Sequence, residues 1–205
     1  MENLVSKIPT SRLEAITDGI FAVAMTILVL SIEAPSPAEL GSGGVYGYLI
    51  SLIPKLTIFV ISFILLGTFW MNHHAFFLIN KVNQLSLWIN LFWLMGICLI
   101  PFSVSLVAGF EYSIFAEIFF GLNMLYIGVL YCFNIYYAHK KGFFNKEIEY
   151  NINRIMWSPI FLILISFIDI GFSIIYPSFN KLFYLLIPLL ILIPSRFFVK
   201  LKFLK

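Results

Sequence analysis

Charge is what this chain of 205 residues has least of: only 11% are Asp, Glu, Lys or Arg. Soluble domains carry about 25%, and so little polar surface cannot cover a soluble core of this size. Cysteine is scarce too. Cys98 and Cys132 both fall inside apolar runs, with no CxxC and no metal-ligand spacing, which speaks against a disulfide framework or a zinc site. The net charge of +3 is small and accounted for by the loop bias described below, so it gives no ground for nucleic-acid binding. No Thr-Val-Gly-Tyr-Gly filter or short half-helix stands between two spans, as a pore loop would require. No nucleophile–base pairing marks an intramembrane enzyme, so no catalytic residue and no enzymatic activity are expected.

What the chain does have is hydrocarbon. Hydrophobic residues make up 61% of it, and the mean hydropathy is +0.98. Apolar runs at about 13–32, 49–71, 85–108, 112–137, 155–176 and 182–199 each reach the length that crosses a bilayer. The expected fold is all-α and polytopic: one domain, 1–205, of six transmembrane helices, with nothing left over for a domain outside the membrane. The first run follows Glu2, Lys7, Arg12 and Glu14 and precedes no small-residue cleavage site, so it reads as a retained span. Six spans put every Lys and Arg except Lys55 and Lys181 on one side, which predicts cytoplasmic termini in a multi-pass cell-membrane protein. The Pro- and Gly-rich stretch 33–44 forms an outer loop, spans 3 and 4 make a tight hairpin at 109–111, and 138–153 is the longest cytoplasmic link. No second copy of the Arg12–Asp18 pattern follows, so the six spans are one unit.

The first span is unusual because charge stands at its mouth. Arg12, Glu14 and Asp18 are costly there unless something uses them. Ser11-Arg12-Leu13-Glu14 fits a capping box and predicts the helix start. At about 100° per residue, Ile16, Gly19/Ile20, Val23, Thr26/Ile27 and Leu30 share one stripe. That stripe faces lipid, a neighbouring helix or a path. Asp18 lies away from it with Ala22, Met25 and Val29, which predicts a buried carboxylate bonded to donors such as Trp70, His73 or Asn90 from the next two spans. His73 and His74 point about 100° apart and cannot easily serve one ion, so no metal site is expected there and the pair reads first as a structural anchor, with proton coupling as the alternative.

Arg12-x-x-x-Ile16-Thr17-Asp18-Gly19 followed by Phe21-Ala22-Val23-x-x-Thr26-Ile27-Leu28-x-Leu30 resembles the Arg…Phe-Ser-Asp signature of the transmembrane protein 175 family of potassium channels. Ser62-Phe63…Gly67-Thr68-Phe69-Trp70-x-x-His73-His74 and Trp88-x-Asn90-Leu91…Ile100-Pro101-Phe102-Ser103 extend the likeness over the first half of the chain, in order. The resemblance implies a cation channel without a pore loop, lined by the first helix. One six-helix repeat per chain implies a prokaryotic type that assembles as a homotetramer in the bilayer. Val23, Ile27 and Leu30 would be its constriction layers, with the Thr26 hydroxyl beside them. Arg12, Thr17, Asp18, Trp70, His73 and Asn90 would form the network that holds the helix. Two departures stand out: Ile16-Thr17 replaces Phe-Ser, and Val23 stands where isoleucine is commoner, which widens the ring by a methyl group per subunit.

The expected function is therefore passive, leak-type conduction of K⁺, a monovalent cation that sheds part of its hydration more cheaply than Na⁺ at an apolar ring. No cofactor is expected apart from the permeant K⁺. The rival is a small secondary or proton-coupled transporter, which needs a charged site near mid-membrane and interrupted helices. Glu117 and Asp169 are the acids such a site would use, and Pro159 and Pro188 the interruptions.

Overall fold

The computed structural model describes residues 10–36, 40, 43–74, 83–110, 112–144, 146–175 and 184–187. Among these the chain forms six α-helices: α1 (Thr10–Leu30), α2 (Gly44–Ser51), α3 (Ile53–His74), α4 (Gln84–Gly109), α5 (Ile114–Lys140) and α6 (Lys146–Ser173). All except the short α2 are long and apolar enough to span a bilayer. The chain is an all-α, multi-pass membrane protein. The last expected span, 182–199, lies outside the described residues except for 184–187.

Local chemistry sets the turns. Asn83 caps α4, its side-chain oxygen accepting from the Ser86 amide at 2.9 Å, and Ser113 caps α5, accepting from Ala116 at 3.4 Å. α5 ends in a Schellman turn: the Phe143 amide donates to the Ala138 carbonyl and the Gly142 amide to His139, both at 3.0 Å. Gly142 takes the left-handed position there, at φ 63°.

Four expectations are corrected in detail. α1 already includes Thr10, so Ser11 lies in the first turn and not at the cap. The expected span 49–71 is divided, α2 ending at Ser51 and α3 starting at Ile53 with Pro54 in its first turn, where a missing amide is harmless. The link 138–153 is much shorter than its sequence implies. Residues 146–158 contain neither Gly nor Pro to stop a helix, so α6 starts at Lys146 and only about one turn separates it from α5. Finally, Pro159 does not interrupt α6, nor Pro101 α4.

α5 is the central helix, packed along α4 on one side and α6 on the other, while α1 lies on α4 and α3. Leu65, Leu66, Leu94, Ile97, Ile100, Ile127 and Ile135 are sealed inside. In lipid, apolar area alone does not hold helices together, so close approach at small residues matters more. A Cβ on Gly96 would come within 2.8 Å of Ile127 Cγ1, and one on Gly128 within 2.9 Å of Ile163 Cγ1 and 3.3 Å of the Pro159 carbonyl oxygen.

Candidate functional site

α1 is the least buried of the five spans. Its inward face is one clean row, Thr17, Phe21, Ala24 and Leu28, spaced to sit in a line at 3.6 residues per turn. Phe21 meets Trp93 of α4 there, ring centroids 5.7 Å apart. The opposite face carries the predicted stripe. Val23 is 55% exposed and Leu30 73%, with Ile16, Gly19, Thr26 and Ile27 also exposed. Arg12 falls on the same bearing, exposed, with no side-chain hydrogen bond among the described residues. Beside the stripe, Ile16, Gly19, Ile20, Val23 and Ala24 form with Cys98 an open apolar cavity of about 350 Å³.

The Thr26 hydroxyl is within bonding distance of the Val23 carbonyl at 2.8 Å and the Ala22 carbonyl at 3.0 Å. Its proton is thus held by the helix, and the oxygen keeps its lone pairs for the open side. Thr17 bonds back in the same way, to Leu13 at 2.8 Å, but inside the protein. Thr17 is therefore a packing residue of the inward row.

Where α1 begins, side chains from every long helix converge. The Trp70 indole donates to Asp18 Oδ1 at 2.8 Å. His73 Nε2 lies 2.9 Å from Asn90 Oδ1, fully buried. The His73 ring stacks on Trp93 at 4.6 Å and 9°, and Trp93 stacks on Tyr131 at 5.3 Å. The Tyr131 hydroxyl donates to the Asn72 carbonyl at 2.9 Å, and the Asn72 amide donates to Ser158 of α6 at 2.7 Å. Asp18 and Trp70 therefore meet, as do His73 and Asn90, whereas Arg12 and Thr17 stand outside both pairs.

Asp18 itself is exposed along this chain, not buried as its sequence position implied. It sits about a quarter-turn from the inward row, so it reaches Trp70 sideways along the helix flank. Replacing Asp18 by Ala strands the indole donor and should cost about 1 kcal/mol. Asp18→Asn keeps an acceptor and should melt within a few degrees of the parent, while Asp18→Ala should melt lower and assemble in poorer yield. Normal yield with an altered K⁺/Na⁺ preference would instead put this carboxylate in an ion path.

Trp93 and Tyr131 escaped the sequence reading, although Trp93 is the aromatic through which α1, α3 and α5 touch α4. The available signal was its position one turn beyond Asn90, on the same helix face. Glu117 and Asp169, the acids a transporter site would use, come together at one place in the bundle. Both are fully buried, and the Tyr184 hydroxyl donates to Asp169 Oδ2 at 3.0 Å. A Cβ on Gly121, one turn past Glu117, would lie 2.8 Å from that same oxygen. This pair belongs to the α5–α6 seam, away from α1.

A membrane-spanning bundle with its first helix fastened at one end and bare along the opposite face defines the class: an all-α, multi-pass membrane protein. Residues 12–101 match the family described as endosomal/lysosomal potassium channel TMEM175. The chain is 27% identical to a potassium channel of Chryseobacterium sp. over 90% of its own length and 93% of that protein's. It is 33% identical to a potassium channel of Chamaesiphon minutus over 57% of its own length and 62% of that protein's. The crystal structure of a homologue of the lysosomal potassium-selective channel TMEM175 from Chamaesiphon minutus superposes with a TM-score of 0.70 at 25% identity. That likeness covers 87% of this chain and 97% of the other. The first half of the chain is thus similar to the transmembrane protein 175 family, and the chain as a whole superposes on the fold of a solved homologue of it.

Proposed function

We propose that this protein is a K⁺-permeable, leak-type cation channel of the cell membrane, with both termini cytoplasmic. Its path is enclosed by the exposed α1 faces of four copies. The observation that carries this reading is the composition of that face. Arg12, Gly19 and Thr26 share it with Val23, Ile27 and Leu30, and a surface turned to lipid has no use for the polar and minimal members of that set. One helix cannot enclose a path, whereas identical copies around a closed axis can. The bacterial relatives named as potassium channels support the same reading.

In this arrangement Val23, Ile27 and Leu30 form successive apolar rings one turn apart, and Thr26 offers an oxygen between them. An apolar ring passes K⁺ ahead of Na⁺ because K⁺ gives up water at lower cost, and the ring closes to all ions when it dewets. Thr26 replaces a lost water with an oxygen already oriented by its bond to the backbone. Discrimination is modest, because four hydroxyls do not replace a full hydration shell. The Asp18–Trp70 and His73–Asn90 pairs fix the angle at which α1 leaves the bundle.

Purified protein in bilayers under opposed K⁺ and Na⁺ gradients should give currents whose reversal follows K⁺, unchanged by an imposed pH gradient. Its mass in nanodiscs should be that of four chains. A conducting monomer would sink the pore, and flux that stops unless a second ion or proton moves with it would support a transporter instead.

A further inference from the structure

On the facing surfaces of α4 and α5, four side chains sealed from the surface carry atoms with no hydrogen-bond partner among the described residues. They are Ser86 Oγ, Asn90 Nδ2 and Trp93 Nε1 on α4, and both amide atoms of Asn134 on α5. Asn90 and Asn134 are 0% exposed. Buried polar atoms are otherwise almost always bonded, so five of them together call for a bonding group.

Two contacts place them in one layer. The Asn83 amide donates to the Tyr137 hydroxyl at 2.7 Å, and Trp93 stacks on Tyr131 at 5.3 Å. Ser86 and Asn90 lie between Asn83 and Trp93 along α4, and Asn134 lies midway between Tyr131 and Tyr137 along antiparallel α5. At 3.6 residues per turn, Asn134 shares the bearing of Ile127, Tyr131 and Ala138, which is the α4-facing side.

The chemistry of the set selects its ligand. Asn90 Nδ2, Trp93 Nε1 and Asn134 Nδ2 can only donate, which repels a cation. Asn134 Oδ1 can only accept, which an anion cannot satisfy, and no charged side chain among these residues would hold one. A group that accepts from several donors and also donates is required, and water is the smallest. We infer that the α4–α5 seam holds an internal water cluster bonded by Asn134, Asn90, Trp93 and Ser86. The cluster turns the Asn90 amide so that Oδ1 faces His73, and so extends the anchor of α1 into α5. The Asn83–Tyr137 bond closes its mouth. This inference stands whether or not α1 lines an ion path.

Hydroxyl-radical footprinting of the full chain in nanodiscs, with pulses in ¹⁸O-water, tests it, since radicals born from bound water oxidise the side chains beside it. Trp93 should be oxidised much faster than Met124, which is equally buried but sits in the apolar core and reacts with free hydroxyl radical at a comparable, near diffusion-limited rate. In Asn134→Leu, and to a smaller degree in Ser86→Ala, Trp93 oxidation should fall toward the Met124 level. Oxidation of Trp93 no faster than Met124 in the parent protein means a dry seam and overturns the proposal without any variant. Oxidation that changes when chloride is replaced by gluconate would assign the seam to an anion and overturn it equally.

Discussion

Val23→Trp should abolish K⁺ current while leaving the assembled protein intact, and Val23→Asn should raise current and weaken the preference for K⁺ over Na⁺. Val23 projects from α1 with more than half its surface open, beside an open apolar cavity. Assembly yield of each variant, measured beside its current, separates an effect on the path from one on folding. In the proposed ring of four, each substitution would act four times over. In the proposed pore, four indoles would fill a space that four isopropyl groups leave open, whereas four amides would wet it and remove the apolar barrier. Bilayer currents with the two cations in separate solutions read both effects. Wild-type current and selectivity in both variants, with normal assembly, would show that α1 does not line the path.

The second large effect is on folding. Gly128→Leu should leave little or no correctly folded protein, where Gly128→Ala should lower stability by roughly 1–3 kcal/mol, the usual range for overpacking. A Cβ at this position meets Ile163 Cγ1 at 2.9 Å, and behind it the Pro159 carbonyl oxygen at 3.3 Å and the Ile163 amide nitrogen at 3.4 Å. A side-chain carbon can rotate away, but backbone cannot, so a longer side chain must push α6 off α5. The same backbone closeness is absent at Gly19 and Gly171, where a Cβ would meet nothing within 4 Å. Gly171→Ala, on the same helix pair, is the control and should melt like the parent. Equal melting of Gly128→Leu and Gly171→Ala in detergent would refute the close contact.

The sequence made the membrane class and the placement of the long spans readable, because bilayer thickness imposes a length on any chain that crosses it. The contact between Trp70 and Asp18 was foreseeable for a similar reason: a carboxylate at a helix mouth needs a donor, and few side chains of the next span can supply one. The unbroken course of α6 through Pro159 was not foreseeable, since Pro in a membrane helix is tolerated or disruptive according to what its neighbours bond. Nor was the exposure of Asp18. Periodicity assigns a bearing to each residue, but which bearing is inward depends on where Phe21 finds Trp93, a contact between helices that no local pattern encodes. The Asn134 layer was hidden for the same reason, its members being spread over two helices and alarming only once they face one another.

The open face of α1 also fixes what kind of force can bring copies of the chain together. Valine, isoleucine and leucine against acyl chains are already in an environment as apolar as themselves, so sheltering them from lipid gains almost nothing. Association must then be driven by how well the faces interlock and by the lipid they release. Such a balance responds to bilayer thickness and to dilution in lipid far more than to salt or denaturant. A preparation that looks dispersed at high lipid-to-protein ratio would reassemble when lipid is withdrawn, with no change in the fold of the single chain.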